Sequence, residues 1–189
     1  MRIETISSES GLARLAGPWD ELVRGMPRPS PFLLHTWLLE WWRTYGGEDE
    51  LAVHVAYRDD RLVGALPLCT RRRRGLRVTE FVGGTWAVLA DLLLAPGEDA
   101  STAGALVEQA ASSRHDFASL FGLPGSSRLV AALPQGALRL VERLEAPVLD
   151  LGAGWDAVYK AKLSSKARSE RRRRRRQLEK QGAVEVSIA

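Results

Sequence analysis

The sequence predicts a mixed α/β protein in which a mostly antiparallel sheet is flanked by helices and followed by a long basic helix. Apolar residues alternate along two successive runs from residue 51, joined by Asp59 and Asp60, which indicates a β-hairpin. The segments on either side carry apolar residues three and four positions apart, which indicates amphipathic helices. Because 45% of the 189 residues are hydrophobic, a core of ordinary size is expected.

The first fifty residues predict a strand at residues 2–7 and two helical regions. Apolar residues recur at helical spacing up to Met26, with Gly17 and Pro18 expected to break the helix. The clearest helix follows Ser30 as N-cap and Pro31 as first helical residue. Its apolar stripe comprises Leu34, Trp37, Leu38, Trp41, Trp42 and Tyr45. We expect Trp37, Trp41 and Tyr45 to pack in the core, with the lining of a pocket as the alternative.

The middle of the chain predicts the rest of the sheet. The hairpin strands are residues 51–57 and 62–69, and further strands are expected near 78–82 and 86–94. Asp99 or Ser101 is predicted to cap a helix whose buried face holds Ala103, Leu106, Val107 and Ala110. The pattern then predicts a buried strand, a short helix and two more strands, at residues 117–123, 126–133, 138–144 and 148–151.

Charge divides the chain into an acidic body and a basic end. Residues 160–180 carry eleven Lys or Arg and two Glu, a net charge of +9, whereas the other residues sum to −5. We predict one long helix over residues 155–181, stopped by Gly182, and a strand over 184–188. Since a strand needs neighbours for its backbone groups, that strand either pairs with the earlier sheet or begins a second lobe that continues after residue 189. We expect the second lobe, with domains at residues 1–152 and 153–189.

Several classes of protein are not expected from the sequence. Cys69 is the single cysteine, so neither an internal disulfide nor a cysteine-pair zinc site is predicted. The histidines His35, His54 and His115 show no ligand spacing, and no metal site is expected. No segment is long and apolar enough to span a bilayer, and the N-terminus has no apolar signal core, so a cytoplasmic location is expected.

Six short motifs follow one another in an order that resembles a known family. They are Trp19-x-x-Leu22; Pro31-Phe32 with Trp37 and Trp41; Leu62-Val63-Gly64-x-x-Pro67-Leu68; Asp91-Leu92-Leu93; Pro147-Val148-Leu149-Asp150-Leu151; and Leu163-Ser164-Ser165-Lys166-x-Arg168 before the arginine run. Together they cover essentially the whole chain. This order is similar to that of the CelD/BcsL-like acetyltransferases, a branch of the GNAT superfamily linked to synthesis of cellulose and other exopolysaccharides.

The resemblance implies a GNAT-like first lobe and the start of a second lobe near Trp155. It implies transfer of an acyl group from acetyl-CoA or another acyl-CoA to an amine or hydroxyl acceptor, with sugar or polysaccharide precursors as candidate acceptors. The cofactor would bind mainly through the second lobe. The first lobe would then be non-catalytic, and these 189 residues alone are expected to be inactive.

Two segments bear on the chemistry that the resemblance implies. The GNAT phosphate loop has the form Arg/Gln-x-x-Gly-x-Gly/Ala before a helix, whereas Arg72-x-x-Gly75-x-Arg77 lacks the last small residue and precedes a strand, so it predicts a hairpin turn. Acyl transfer to an amine needs a group that removes a proton, and Asp91 in the Asp-Leu-Leu motif is the candidate base. The alternative for Asp91 is a carboxylate at a strand end, in a turn or facing solvent.

The arginine run Arg171–Arg176 places positive charge on every side of the predicted helix. Like charges four residues apart repel each other, so acidic neighbours, an anionic partner or solvent must relieve them. Lys166, Arg168, Arg171 and Arg172 are therefore candidate contacts to an anion or substrate such as the CoA phosphates, and the alternative is a solvated helix or one that packs between two lobes. The alternative function is a module that binds anions or nucleic acid through this helix; no aromatic residues are interleaved with the arginines, so a platform for stacking single-stranded bases is not expected.

Overall fold

A computed structural model describes residues 1–145, 149–150 and 152–183. The chain divides into two compact units, Met1–Arg139 (unit 1) and Leu140–Ala189 (unit 2). Unit 1 holds a six-stranded, mostly antiparallel sheet with helices, so the predicted mixed α and β fold is confirmed. In the described part of the chain, no helix combines the length and the apolar character needed to cross a membrane.

The sheet is built around a hairpin of two long strands. Its strands are β1 (Arg2–Ile6), β2 (Glu50–Arg58), β3 (Arg61–Arg73), β4 (Leu76–Phe81), β5 (Leu93–Leu94) and β6 (Phe117–Ala118). Their order is β1-β2-β3-β4-β6, with β5 paired to β3, and only the β4–β6 pair is parallel. Asp59 and Asp60 both have positive φ, at 50° and 60°, which matches the twist of a two-residue hairpin turn. The predicted hairpin is confirmed.

Strand β3 lies at the centre of the core because its sequence is almost continuously apolar. Every residue from Leu62 to Thr70 is buried, as expected of a strand covered on both faces. Trp19 is completely buried in the same core, and its indole N–H donates to the Leu33 carbonyl at 2.8 Å. This bond satisfies the polar end of a large core side chain.

Five helices belong to unit 1: α1 (Glu9–Ala13), α2 (Ala16–Arg24), α3 (His35–Tyr45), α4 (Ala100–Ala111) and α5 (Arg128–Ala132). The first break falls at residues 14–15, and not at the predicted Gly17-Pro18, because proline is tolerated in the first turn of a helix. The predicted helix from Pro31 is a 3-10 turn, Pro31–Leu33, followed by α3. Asp99 caps α4 as predicted, by accepting from the Ser101 N–H at 2.9 Å.

Several predicted strands after β4 are wrong. The expected strand at 86–94 is a 3-10 turn, Gly84–Trp86, and the two residues of β5. The expected buried strand at 117–123 is reduced to β6, which is exposed. Residues 138–144 form no strand, and Val141 is 88% exposed, since no neighbouring strand in the described residues pairs with this segment. The strand predicted at 148–151 lies partly outside the described residues. The strand predicted at 184–188 lies wholly outside them.

The described residues of unit 2 form two helices, α6 (Trp155–Lys162) and α7 (Ser165–Glu179), so the single long helix predicted for 155–181 is wrong. The helix stops because Leu163 and Ser164 have extended backbones. The Ser164 hydroxyl then accepts from the Ala167 N–H at 3.2 Å and caps a new helix. Serine favours this N-cap position over a helix interior, where it competes with the backbone.

Candidate functional site

The predicted anion contacts lie in the cationic segment, residues 160–180, which comprises the end of α6 and all of α7. Arg168 is half-buried, and its Nη1 donates to the carbonyls of Lys160 at 2.8 Å and Leu163 at 2.5 Å. These carbonyls end α6 and lack partners within their own helix, so a guanidinium there is favourable. Arg168 therefore joins α7 to α6 instead of pointing freely at a ligand.

Acidic residues pair with part of the arginine run. Glu170 accepts from Arg173 and Arg174, and Glu179 accepts from Arg175 at 2.9 Å. The hydrogen bonds from Arg173 and then Arg174 lower the pKa of Glu170 to about 2. All these side chains are exposed or half-exposed, so each pair contributes little to stability.

Other cations of the segment have no acidic partner. In the described residues, Lys166 and Arg172 form no ion pair, and the Arg171 guanidinium lies 6.0 Å from the centroid of the Tyr159 ring. All three side chains belong to exposed residues. The structure thus leaves Lys166, Arg171 and Arg172 accessible to an anion, while Arg168 is engaged by the backbone.

Asp91 is buried, with only 3% of the residue exposed, and donors surround both carboxylate oxygens. Its Oδ1 accepts from the Leu92 N–H at 2.8 Å, the Ser127 hydroxyl at 2.7 Å and the Leu129 N–H at 3.0 Å, and its Oδ2 accepts from the Arg128 N–H at 2.9 Å. The Arg128 and Leu129 N–H groups belong to the first turn of α5 and have no helical partner. The contacts give Asp91 a structural role just before β5, so the alternative of a strand-end carboxylate fits its position, whereas the alternative of a solvent-facing carboxylate is wrong.

Carboxylates of unit 1 also fill the N-termini of α3 and α4. Asp20 accepts from the His35 N–H at 2.9 Å at the start of α3, and Asp99 caps α4. Glu98, beside Asp99, accepts from Arg58 at 2.9 Å. A phosphate at either helix end would have to displace or approach a carboxylate, although helix N-termini are otherwise good anion sites.

The Arg72–Arg77 segment is the tight β3–β4 turn, with positive φ at Arg74 and Gly75, so the predicted hairpin turn is confirmed.

The structure also contains an aromatic groove on the outer face of α3. Its volume is about 750 Å³, and ten residues line it: Asp20, Pro31, Leu34, Thr36, Trp37, Glu40, Trp41, Thr44, Tyr45 and Trp86. Tyr45 is 63% exposed and Trp86 is 71% exposed. The expectation of core packing is thus correct for Leu38 and Trp41 and wrong for Tyr45.

Two glycines bring the far wall of the aromatic groove against α3. Gly83 has φ of +110°, and a Cβ there would lie 2.7 Å from the Ala87 Cβ and 2.8 Å from Trp37. Gly84 follows with φ of +50° and opens the 3-10 turn that carries Trp86. A side chain at Gly83 would push this turn away from Trp37, so glycine is needed for the close approach. Periodicity alone could not reveal this, although the Gly83-Gly84 pair is the local signal.

The remaining reactive side chains serve the core. Cys69 is buried, and burial raises the pKa of its thiol to about 12. His54 is also buried, which lowers its pKa to about 4, and its Nδ1 lies 3.0 Å from the Thr5 hydroxyl. No cluster of three or more metal-ligating side chains occurs among the residues that the structure describes.

No protein-family model, curated protein or solved structure matches this chain.

Proposed function

We propose that this chain is part of an acyl-CoA-dependent acyltransferase of the GNAT type, in which unit 1 is non-catalytic and unit 2 contacts the anionic donor. The observation that carries the proposal is the capped start of α7. There the motif Leu163-Ser164-Ser165-Lys166-x-Arg168 forms a helix N-terminus, with Ser164 as cap and Lys166 exposed in the first turn. The CelD/BcsL-like resemblance and the mostly antiparallel sheet with flanking helices are consistent with this proposal.

The chemistry of the donor fits the cationic segment. Acetyl-CoA carries three phosphate groups, and guanidinium groups bind phosphate oxygens in a bidentate geometry. Arg171 and Arg172 follow Lys166 by five and six residues, so the three exposed side chains lie on different sides of α7, and each can meet an anion without first breaking an ion pair. In unit 1, by contrast, the starts of α3, α4 and α5 are filled by carboxylates.

Thermal unfolding in the presence of acetyl-CoA tests the proposal, with S-acetyl-pantetheine as the probe that keeps the thioester and lacks the phosphates. We expect millimolar acetyl-CoA to raise the Tm of the full-length protein and S-acetyl-pantetheine to raise it less, because binding to the folded state stabilises it. Release of the free CoA thiol on addition of amine or hydroxyl acceptors would then report the transfer itself.

A matched pair of variants locates the contact. We expect Arg171→Gln with Arg172→Gln to weaken acetyl-CoA binding about tenfold or more, because two charge-assisted hydrogen-bonding groups are removed. The control, Arg72→Gln with Arg74→Gln, removes the same charge from the exposed β3–β4 turn of unit 1 and should leave affinity unchanged. No shift of Tm at millimolar acetyl-CoA, or an equal loss in both double variants, would contradict the proposal.

A second candidate function is the binding of nucleic acid through α7. It is favoured by the exposure of every residue of the arginine run and by their placement around the whole helix. Such binding to a DNA duplex should weaken steeply with salt, with a slope of about −0.9 per phosphate contact in a log–log plot. Tight, salt-sensitive duplex binding without any effect of acetyl-CoA would favour this function over acyl transfer.

A further inference from the structure

We infer that the aromatic groove beside α3 binds a neutral saccharide. The inference deepens the proposed function, on which it rests only because the saccharide would carry the hydroxyl acceptor. The binding itself is decided by the groove and can be measured without any acyl donor.

The aromatic groove offers several ring surfaces to one elongated ligand. Trp37, Trp41 and Tyr45 are spaced four residues apart on α3, so they form one row along the helix, in which Tyr45 is exposed, Trp37 is half-buried and Trp41 shows only 8% of its surface. Eight residues of helix span about 12 Å, and Trp86 from the Gly84–Trp86 turn lines the same groove. The volume of about 750 Å³ is that of a small-molecule site, and its aromatic lining suits ligands with apolar faces.

The exposure of two of these rings is not explained by folding. Trp86 and Tyr45 remain 71% and 63% exposed, although burial of aromatic surface is a main source of stability. The turn that holds Trp86 also depends on a left-handed Gly83 packed onto Trp37. An exposed aromatic patch with a polar border is the usual mark of a binding surface.

The charges along the aromatic groove cancel. Its two carboxylates each have an arginine nearby: Asp20 lies 3.8 Å from Arg24, and Glu40 lies 2.7 Å from Arg43. A cationic ligand would gain from aromatic faces, but the arginines already neutralise the carboxylates that would attract it. An anionic ligand would gain equally little, because Arg24 and Arg43 are already paired with these carboxylates. The groove is therefore complementary to an uncharged ligand.

The polar groups of the aromatic groove specify hydroxyl groups. Asp20 and Glu40 offer carboxylate oxygens, and Thr36 and Thr44 offer hydroxyls, beside the rings. A pyranose has C–H faces that stack on aromatic rings and hydroxyl groups on its edge that donate to carboxylates. An apolar helix of a partner protein would instead bury these carboxylates and hydroxyls without partners, which is costly. The combination thus favours a saccharide over an apolar protein surface.

The experiment is a titration of the protein with neutral tetrasaccharides, one β-1,4-linked and one α-1,4-linked glucose oligomer, followed by intrinsic tryptophan fluorescence and calorimetry. We expect saturable binding of at least one oligomer at concentrations up to about 20 mM, the range of a weak specific site. Trp86→Ala and Tyr45→Ala should each lower the affinity about tenfold, which equals about 1.4 kcal/mol. Both residues are mostly exposed, so both variants should stay folded.

Trp155→Ala is the matched control, because Trp155 is 59% exposed but belongs to unit 2 and does not line the aromatic groove. Absence of saturable binding by either oligomer would overturn the inference, as would an equal loss of affinity in Trp155→Ala or preferential binding of the cationic probe choline. Saccharide binding without any response to acetyl-CoA would support this inference and contradict the acyltransferase proposal. A response to acetyl-CoA without saccharide binding would contradict this inference and support the acyltransferase proposal.

Discussion

Asp91 provides the sharpest test of the fold, because one buried carboxylate accepts four hydrogen bonds, one from the Leu92 N–H and three at the start of α5. In Asp91→Ala all four donors lose their acceptor. Leu92 and Leu129 are 0% and 3% exposed, so water cannot easily replace the carboxylate at their N–H groups. Loss of a helix cap costs about 0.5–2 kcal/mol and each buried unsatisfied donor about 1–3 kcal/mol. We therefore expect Asp91→Ala to lower the free energy of unfolding by about 3–5 kcal/mol.

Asp91→Asn separates charge from hydrogen bonding in the same place. The Asn oxygen can keep the three donors of Oδ1, while its amide nitrogen would face the Arg128 N–H, so the expected loss is about 1–3 kcal/mol. The control is Asp60→Asn, whose side chain is 95% exposed and whose replacement should change stability by less than about 0.5 kcal/mol.

Urea unfolding followed by tryptophan fluorescence measures these differences, provided that the slope of free energy against urea is unchanged. An Asp91→Ala protein within about 1 kcal/mol of the wild type would refute the assignment of a structural role.

Three further predictions concern unit 1. Gly83→Ala should destabilise the fold by about 2 kcal/mol or more, because backbone strain at φ of +110° adds to overlap with Ala87 and Trp37. The control is Gly97→Ala, which has φ of +88° and open space around it and should therefore show the backbone strain alone in the same urea assay. The Cys69 thiol, whose pKa is raised to about 12, should react with a thiol-specific chromogenic reagent only at the rate of unfolding, and rapid labelling of the native protein would contradict this. His54 has a pKa lowered to about 4 from 6.5, so the unfolded state binds more protons between these pH values. The free energy of unfolding is therefore highest, as far as His54 is concerned, above pH 6.5, and it falls by about 3 kcal/mol as the pH falls towards 4. His54→Gln should flatten this part of the plot of unfolding free energy against pH, and an unchanged plot would contradict the prediction.

Local sequence rules predicted the elements whose causes are local. The β2–β3 hairpin follows from alternation and from two aspartates that tolerate positive φ, and the cap of α4 follows from Asp99. The break between α6 and α7 was missed because the apolar spacing continues across it. Ser164 was the available signal, since a capping serine three residues before the Ala167 N–H can end one helix and start another.

The site residues depend on contacts that periodicity does not contain. Asp91 bonds to groups 36 to 38 residues away, so its burial could not be read from the surrounding apolar run. Trp37, Trp41 and Tyr45 share the helical spacing of core residues, and what makes them a groove is the turn at Gly84–Trp86, some forty residues later in the chain. Spacing predicts which residues share a face, but not what covers that face.

The charges and the helix N-caps indicate that the two units suit different classes of ligand. In unit 1, carboxylates occupy the starts of α3, α4 and α5, and arginines neutralise the carboxylates of the aromatic groove, so the surfaces described there suit uncharged ligands. In unit 2, Glu170 and Glu179 balance only part of the arginine run, so Lys166, Arg171 and Arg172 keep an uncompensated positive field. A transfer reaction between a phosphate-bearing donor and a neutral acceptor needs a binding surface for each ligand, and the proposed function assigns the donor to unit 2 and the acceptor to unit 1. Binding of both ligand classes by the same unit would therefore contradict the electrostatic basis of the proposed function.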